Sequence, residues 1–96
     1  MKIWYLHGLE SDPGGPKVNF LNEVADEVFA PAMDYKNHKA FGELYRKITK
    51  EGEPDLIIGS SMGGYFADAL ASHFGINTLL LNPALHSREF IKNFYF

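Results

Sequence analysis

The 96-residue chain contains no cysteine, which excludes disulfides and thiol catalysis. Basic residues are also in short supply: 9 Lys and Arg stand against 12 Asp and Glu, for a net charge of -3. No basic stripe stands out, so a nucleic-acid partner is not expected. No stretch approaches the roughly 18 apolar residues of a membrane span. The apolar run in Met1-Lys2-Ile3-Trp4-Tyr5-Leu6-His7-Gly8 is too short for a signal peptide. A cytoplasmic, reducing location is the simplest expectation. No histidine or carboxylate cluster has metal-ligand spacing. A Walker loop is excluded because no Gly-Lys-Ser/Thr is present, and the G-x-G-x-x-G dinucleotide fingerprint is absent. No metal and no cofactor is therefore expected. Repeats, low-complexity tracts and linkers are lacking as well.

What remains is a globular composition, 46% apolar and 15% aromatic, in a length that makes one small domain with one thin core. Residues 3–6 form a short run of β-formers stopped by His7-Gly8, which reads as a buried strand. Residues 8–16 form a loop punctuated by Pro13-Gly14-Gly15-Pro16, and Pro16 can open a helix. Val18, Leu21, Val24, Ala25 and Val28 follow at helical spacing. Glu23, Asp26 and Glu27 read as the solvated face of that helix. Val28-Phe29-Ala30 is a second strand ended by Pro31. Phe41, Leu44, Tyr45 and Ile48 mark a second helix. Residues 55–58 are a third apolar strand, and a third helix over 62–74 is capped by Gly75. Residues 77–81 are a fourth strand, stopped by Asn82-Pro83. Ser87 can cap a last helix bearing Phe90, Ile91, Phe94 and Tyr95.

Continuous apolar strands joined by helices predict an α/β fold, a doubly wound parallel sheet of about four strands in a single domain over residues 1–96. The expected strand order is 2-1-3-4, which makes the loops after strands one and three neighbours at a topological switch point.

The chemistry concentrates in Gly59-Ser60-Ser61-Met62-Gly63-Gly64. This follows a buried strand, opens a helix and matches the G-x-S-x-G nucleophile elbow. A strand that turns abruptly into a helix holds its turn residue in a strained conformation that presents the serine oxygen above the sheet. Gly59 and Gly63 leave room where the two arms of the turn crowd each other, and Gly64 extends that room. The helix N-terminus favours negative charge, so the Met62 N–H is the expected donor to an oxyanion formed at Ser61. A second donor, the Leu9 N–H, is expected from the loop after Leu6-His7-Gly8. His7 and Gly8 are read as shaping that loop, with His7 not the base.

A serine nucleophile needs a base within hydrogen-bond reach. His38 belongs to the start of the second helix, and His73 lies about three turns along the third. His86 is the one candidate base on the same rim as Ser61, although a loop histidine before a helix is ordinarily solvated. Asp34 on that rim is ordinarily solvated too. Met62 and Tyr65 can wall a pocket or simply pack.

Leu6-His7-Gly8, Ser11-Asp12-Pro13, the elbow through Tyr65, and Leu81-Asn82-Pro83-Ala84 together resemble the YqiA-like small bacterial esterases, a compact branch of the α/β-hydrolase superfamily. The resemblance runs from the first strand to the last residue. It implies Ser61 as nucleophile, Leu9 and Met62 as oxyanion-hole donors, and a small-molecule ester or thioester substrate. It also implies a longer chain, because the family's acid and histidine follow later strands. The chain is thus expected to be the N-terminal part of such an esterase. Alternatively, its aromatic tail docks on the sheet and the domain is whole. The apolar run Thr78-Leu79-Leu80-Leu81 at an outer position, with that tail, predicts self-association through the outer strand and the last helix. A different class of reading also stands: a non-catalytic module that binds a small anion at the Gly-rich turn.

Overall fold

The computed structural model describes residues 1–8 and 15–81. Seven elements follow one another: β1 (Lys2–Leu6), α1 (Pro16–Val24), β2 (Glu27–Phe29), α2 (Ala40–Glu51), β3 (Leu56–Ser60), α3 (Met62–Phe74) and β4 (Asn77–Leu81). The four strands form one sheet in the order β2-β1-β3-β4, and every pairing is parallel. Chain direction across the sheet reverses between β1 and β3, whose ends Leu6 and Gly59 are register partners. The rim beyond that pair is the switch point where α/β sheets bind ligands.

Alternation along the strands divides the core into two layers. Trp4, Leu6 and Ile57 face α2 and α3, where they meet Leu44, Ile48, Phe66 and Leu70. Ile3, Tyr5 and Ile58 face the other way, onto Leu21 of α1. Leu6, Ile57, Phe66 and Leu70 are completely buried, each stabilising the fold by about 1.5–3 kcal/mol relative to exposure. The α2 and α3 layer is thus the main core. Among the described residues the opposite face has one short helix, α1, for cover.

That asymmetry explains where the sequence pattern misleads. α1 ends at Val24, with Ala25 already extended, so Asp26 and Glu27 lie beyond the helix. Asp26 instead accepts a hydrogen bond from the N-terminal amine, and Glu27 opens β2, one residue earlier than the apolar run implies. Phe20 and Val24 are each 61% exposed, although Val24 falls on the apolar spacing that begins at Val18 and Leu21. The outer strand shows the same shortfall: Leu79 is 49% exposed, because nothing among the described residues covers β4 on the α1 side. No helix among the described residues is long and apolar enough to cross a membrane. The predicted last helix and the Asn82-Pro83-Ala84 strand end lie outside the described residues.

Candidate functional site

Ser61 joins β3 directly to α3, with no loop between them. Its φ of 54° and ψ of -118° make it the one non-glycine residue with positive φ among the described residues. A side chain in that region costs on the order of 1–3 kcal/mol, a cost the packing on both sides must offset. The turn is held from outside by the Ser61 N–H, which donates to the Leu81 carbonyl at 2.9 Å, and from inside by the Gly64 N–H, which donates to the Ser61 carbonyl at 2.9 Å.

The two glycines are needed for different reasons. A Cβ on Gly59 would lie 2.6 Å from the Gly64 Cα and closer to the Gly63 carbonyl, so this position is crowded by the other arm of the turn. A Cβ on Gly63 would instead collide with β1: it would lie 2.6 Å from the carbonyl oxygen of His7 and closer still to that of Leu6. The sequence pattern alone accounts for both glycines by crowding within the elbow. For Gly63 the structure replaces that with close docking of α3 on the neighbouring strand. Gly64 is buried in the same first turn.

Ser61 occupies the N-cap of α3, yet its side chain makes no capping bond. A serine there ordinarily accepts from the N–H two or three residues on. The positive φ turns the hydroxyl away from that role. The first N–H groups of a helix have no intrahelical acceptor. With those of Ser61 and Gly64 bonded, the N–H groups of Met62 and Gly63 are left without a backbone acceptor among the described residues. Ser61 is half-buried, whereas the Met62 side chain is packed into the core.

His7 lies at the end of β1, 3% exposed. Its Nε2 accepts the Met33 N–H at 2.9 Å, so Nδ1 carries the proton and donates to the Gly8 carbonyl at 2.7 Å. Both ring nitrogens are engaged and neither has a lone pair to take a proton from Ser61. Gly8 is buried beside it. The Tyr35 hydroxyl donates to the His7 carbonyl, and burial pushes the Tyr35 phenol well above its ordinary pKa. Tyr35 and Met33 were not singled out in the sequence. The available signal is an aromatic residue in the loop after β2, four residues past Pro31 and flanked by the charged Asp34 and Lys36.

The other titratable candidates do not converge on Ser61. His38 is exposed in the turn before α2. His73 Nε2 is 3.0 Å from the Tyr45 hydroxyl, in the last turn of α3 and so at the opposite end of the helix from Ser61. Asp34 is exposed and accepts from the Lys36 N–H. Leu9 and His86 lie outside the described residues. No group of three or more His, Cys, Asp or Glu able to hold a metal ion occurs among the described residues.

Comparison with known proteins places this geometry in a family. No solved structure gives a significant match. A UPF0227 protein of Shewanella loihica is 30% identical over 95 residues, covering 91% of this chain and 53% of its own length. A UPF0227 protein of Vibrio cholerae El Tor Inaba N16961 is 31% identical over 94 residues, 88% of this chain and 51% of its own length. One from Vibrio vulnificus CMCP6 is 30% identical over 97 residues, with the same coverage. The chain thus spans about half the length of the curated relatives it matches. The model of the Uncharacterised protein family (UPF0227) matches residues 2–95, essentially the whole chain, and to that family this protein belongs.

Proposed function

We propose that this chain supplies the nucleophile and the oxyanion-stabilising backbone of a serine hydrolase of the α/β-hydrolase type, acting on carboxylic esters or thioesters. One observation carries the reading. Ser61 sits at positive φ between strand and helix with its hydroxyl unused for capping, next to backbone N–H groups that have no acceptor among the described residues. A serine that merely started a helix would gain by capping it and would avoid the strained conformation.

In this reading the Ser61 Oγ adds to the carbonyl carbon while its proton passes to a general base. The carbonyl oxygen becomes an oxyanion and meets the Met62 N–H at the positive end of α3, with the Leu9 N–H as second donor. Collapse of the tetrahedral adduct expels the alcohol or thiol, which takes the proton back from the base. Water then attacks the acyl-Ser61 ester by the same path and releases the acid. The base is His86 or a histidine in the half of the relatives that this chain does not match. His7 is unsuited because both of its nitrogens are engaged.

A fluorophosphonate probe followed by peptide mass spectrometry tests the reading. The expected result is a covalent adduct on Ser61 that is absent in Ser61→Ala. The same free N–H groups also suit a module that holds a carboxylate or phosphate. No adduct, together with phosphate-dependent shifts of the Met62 and Gly63 amide resonances, would favour that module over the hydrolase. Turnover of p-nitrophenyl acetate that disappears in His86→Ala would identify His86 as the base.

A further inference from the structure

Tyr35 stands outside the elbow, yet it touches both α3 and the end of β1 on which α3 is docked. It follows β2, on the far side of β1 from Ser61, and is 1% exposed. Its ring meets Phe66 of α3 edge-on, with centroids 5.0 Å apart and planes at 83°. Phe66 lies one turn along the helix from Met62 and Gly63. The Tyr35 hydroxyl donates to the carbonyl of His7. That carbonyl is one of the two backbone oxygens against which Gly63 is pressed so closely that a Cβ has no room. The His7 carbonyl is therefore held between a phenol from the β2 side and the first turn of α3.

The imidazole of the same residue completes the tie. Met33, two residues before Tyr35, donates its N–H to Nε2, and Nδ1 donates to Gly8. The loop after β2 thus grips both the main chain and the side chain of His7, the residue on which α3 rests. A packing role alone would be met by phenylalanine. The hydroxyl, buried and charge-neutral, adds a directed bond to one carbonyl.

We infer that Tyr35 is a positioning residue for the elbow: its hydroxyl, through the His7 carbonyl, sets the distance between the end of β1 and the first turn of α3, and with it the placement of Ser61 and the Met62 N–H. The inference rests on the hydrolase reading for its consequence in chemistry, but the positioning itself stands on the hydrogen bonds. Small misplacements at a reacting centre are costly, with 1 Å worth about a hundredfold in rate. Tyr35→Phe keeps the ring against Phe66 and removes only the bond.

The test compares wild type, Tyr35→Phe and Ile3→Val, the last a buried residue of the other core layer, at the far end of β1 from His7, that controls for loss of stability. Fluorophosphonate inactivation is resolved into the reversible affinity of the probe and the first-order rate of adduct formation, well below each melting transition. In parallel, amide hydrogen exchange is followed at Met33, Ser61 and Gly64, whose N–H groups are hydrogen-bonded around the junction. Tyr35→Phe is expected to slow adduct formation on the order of ten- to a hundredfold with probe affinity unchanged, and to speed exchange at those three amides. Ile3→Val is expected to do neither beyond its global effect. A Tyr35→Phe chain that forms the adduct at the wild-type rate overturns the inference. If wild type itself forms no adduct, the hydrolase reading fails and exchange decides: unchanged protection at Met33, Ser61 and Gly64 overturns the positioning role, and selective loss there supports it.

Discussion

The backbone N–H of Ser61 donates to the carbonyl of Leu81 at 2.9 Å, so the last residue of the outer strand holds the turn that carries the candidate nucleophile. The bond extends the β3–β4 ladder by one step past the Ser60–Leu81 register pair. It also removes the Ser61 amide from any part in stabilising an oxyanion. In the proposed hydrolase reading the donor on the α3 side is then Met62, whose N–H belongs to the helix and not to the sheet.

Two glycine-to-alanine changes should separate close approach from ordinary helix content. In Gly63→Ala the new methyl meets main-chain carbonyls of β1 that cannot rotate away. Overpacking of this kind costs about 1–3 kcal/mol, a melting-temperature drop on the order of 4–24 °C for a chain of this size. In Gly42→Ala the nearest atom is the Arg46 guanidinium at 3.6 Å, an ordinary contact within α2. That variant is expected to gain roughly 0.5–1 kcal/mol from helix propensity. Thermal melts of the two variants check both signs.

Ser61→Gly should stabilise the protein while removing its proposed chemistry. Glycine adopts a φ of 54° without the Cβ penalty, and relief of that strain is worth about 1 kcal/mol. Ser61→Ala keeps the Cβ and should leave the melting temperature close to wild type. Both variants should fail to react with a fluorophosphonate. A Ser61→Gly chain less stable than wild type would mean that the hydroxyl makes a stabilising bond in the fold.

Alkaline pH should weaken the fold through Tyr35. Burial raises its folded-state pKa above the ordinary value of 10.0. The folded chain therefore keeps its proton where the unfolded chain begins to lose it. The contribution is complete below about pH 10 and declines as pH rises beyond that. Urea denaturation between pH 8 and 11 should show stability falling above about pH 10, with a shallower fall in Tyr35→Phe.

The side of the sheet that no described residue covers beside β4 should make the chain self-associate. Tyr5, Phe20, Leu21, Ile58, Leu79 and Leu81 line an apolar groove beside the outer strand, and Phe20 and Leu79 are largely exposed. Sedimentation velocity is expected to show a mass that rises with concentration. Phe20→Glu with Leu79→Lys should bring it toward the monomer. A wild-type chain that stays monomeric at high micromolar concentration would refute the expectation.

Local chemistry made most of the architecture legible from the residues alone. Four apolar runs bounded by Gly, Pro and Asn marked four strands, and the G-x-S-x-G spacing marked the junction at Ser61, because period and punctuation are properties of the chain itself. Helical connections between apolar strands implied a parallel sheet, and the order β2-β1-β3-β4 is the one expected of a doubly wound fold. Boundaries were less legible where two patterns overlap: Val24, Ala25 and Val28 continue a helical spacing, but the chain leaves the helix at Val24 so that Glu27–Phe29 can pair with β1.

The tertiary structure alone decided what each rim residue touches. Gly63 reads from the sequence as half of a turn, yet the atoms that exclude its side chain belong to Leu6 and His7, more than fifty residues earlier. His7 reads from the sequence as shaping its loop, but the partners it uses, the Met33 N–H and the Gly8 carbonyl, are set by the fold, and Tyr35 meets His7 only when β2 is laid against β1. These are contacts between segments distant in the chain. Spacing carries no information about them, because their geometry is set by how the strands pair and how closely α3 settles on the sheet.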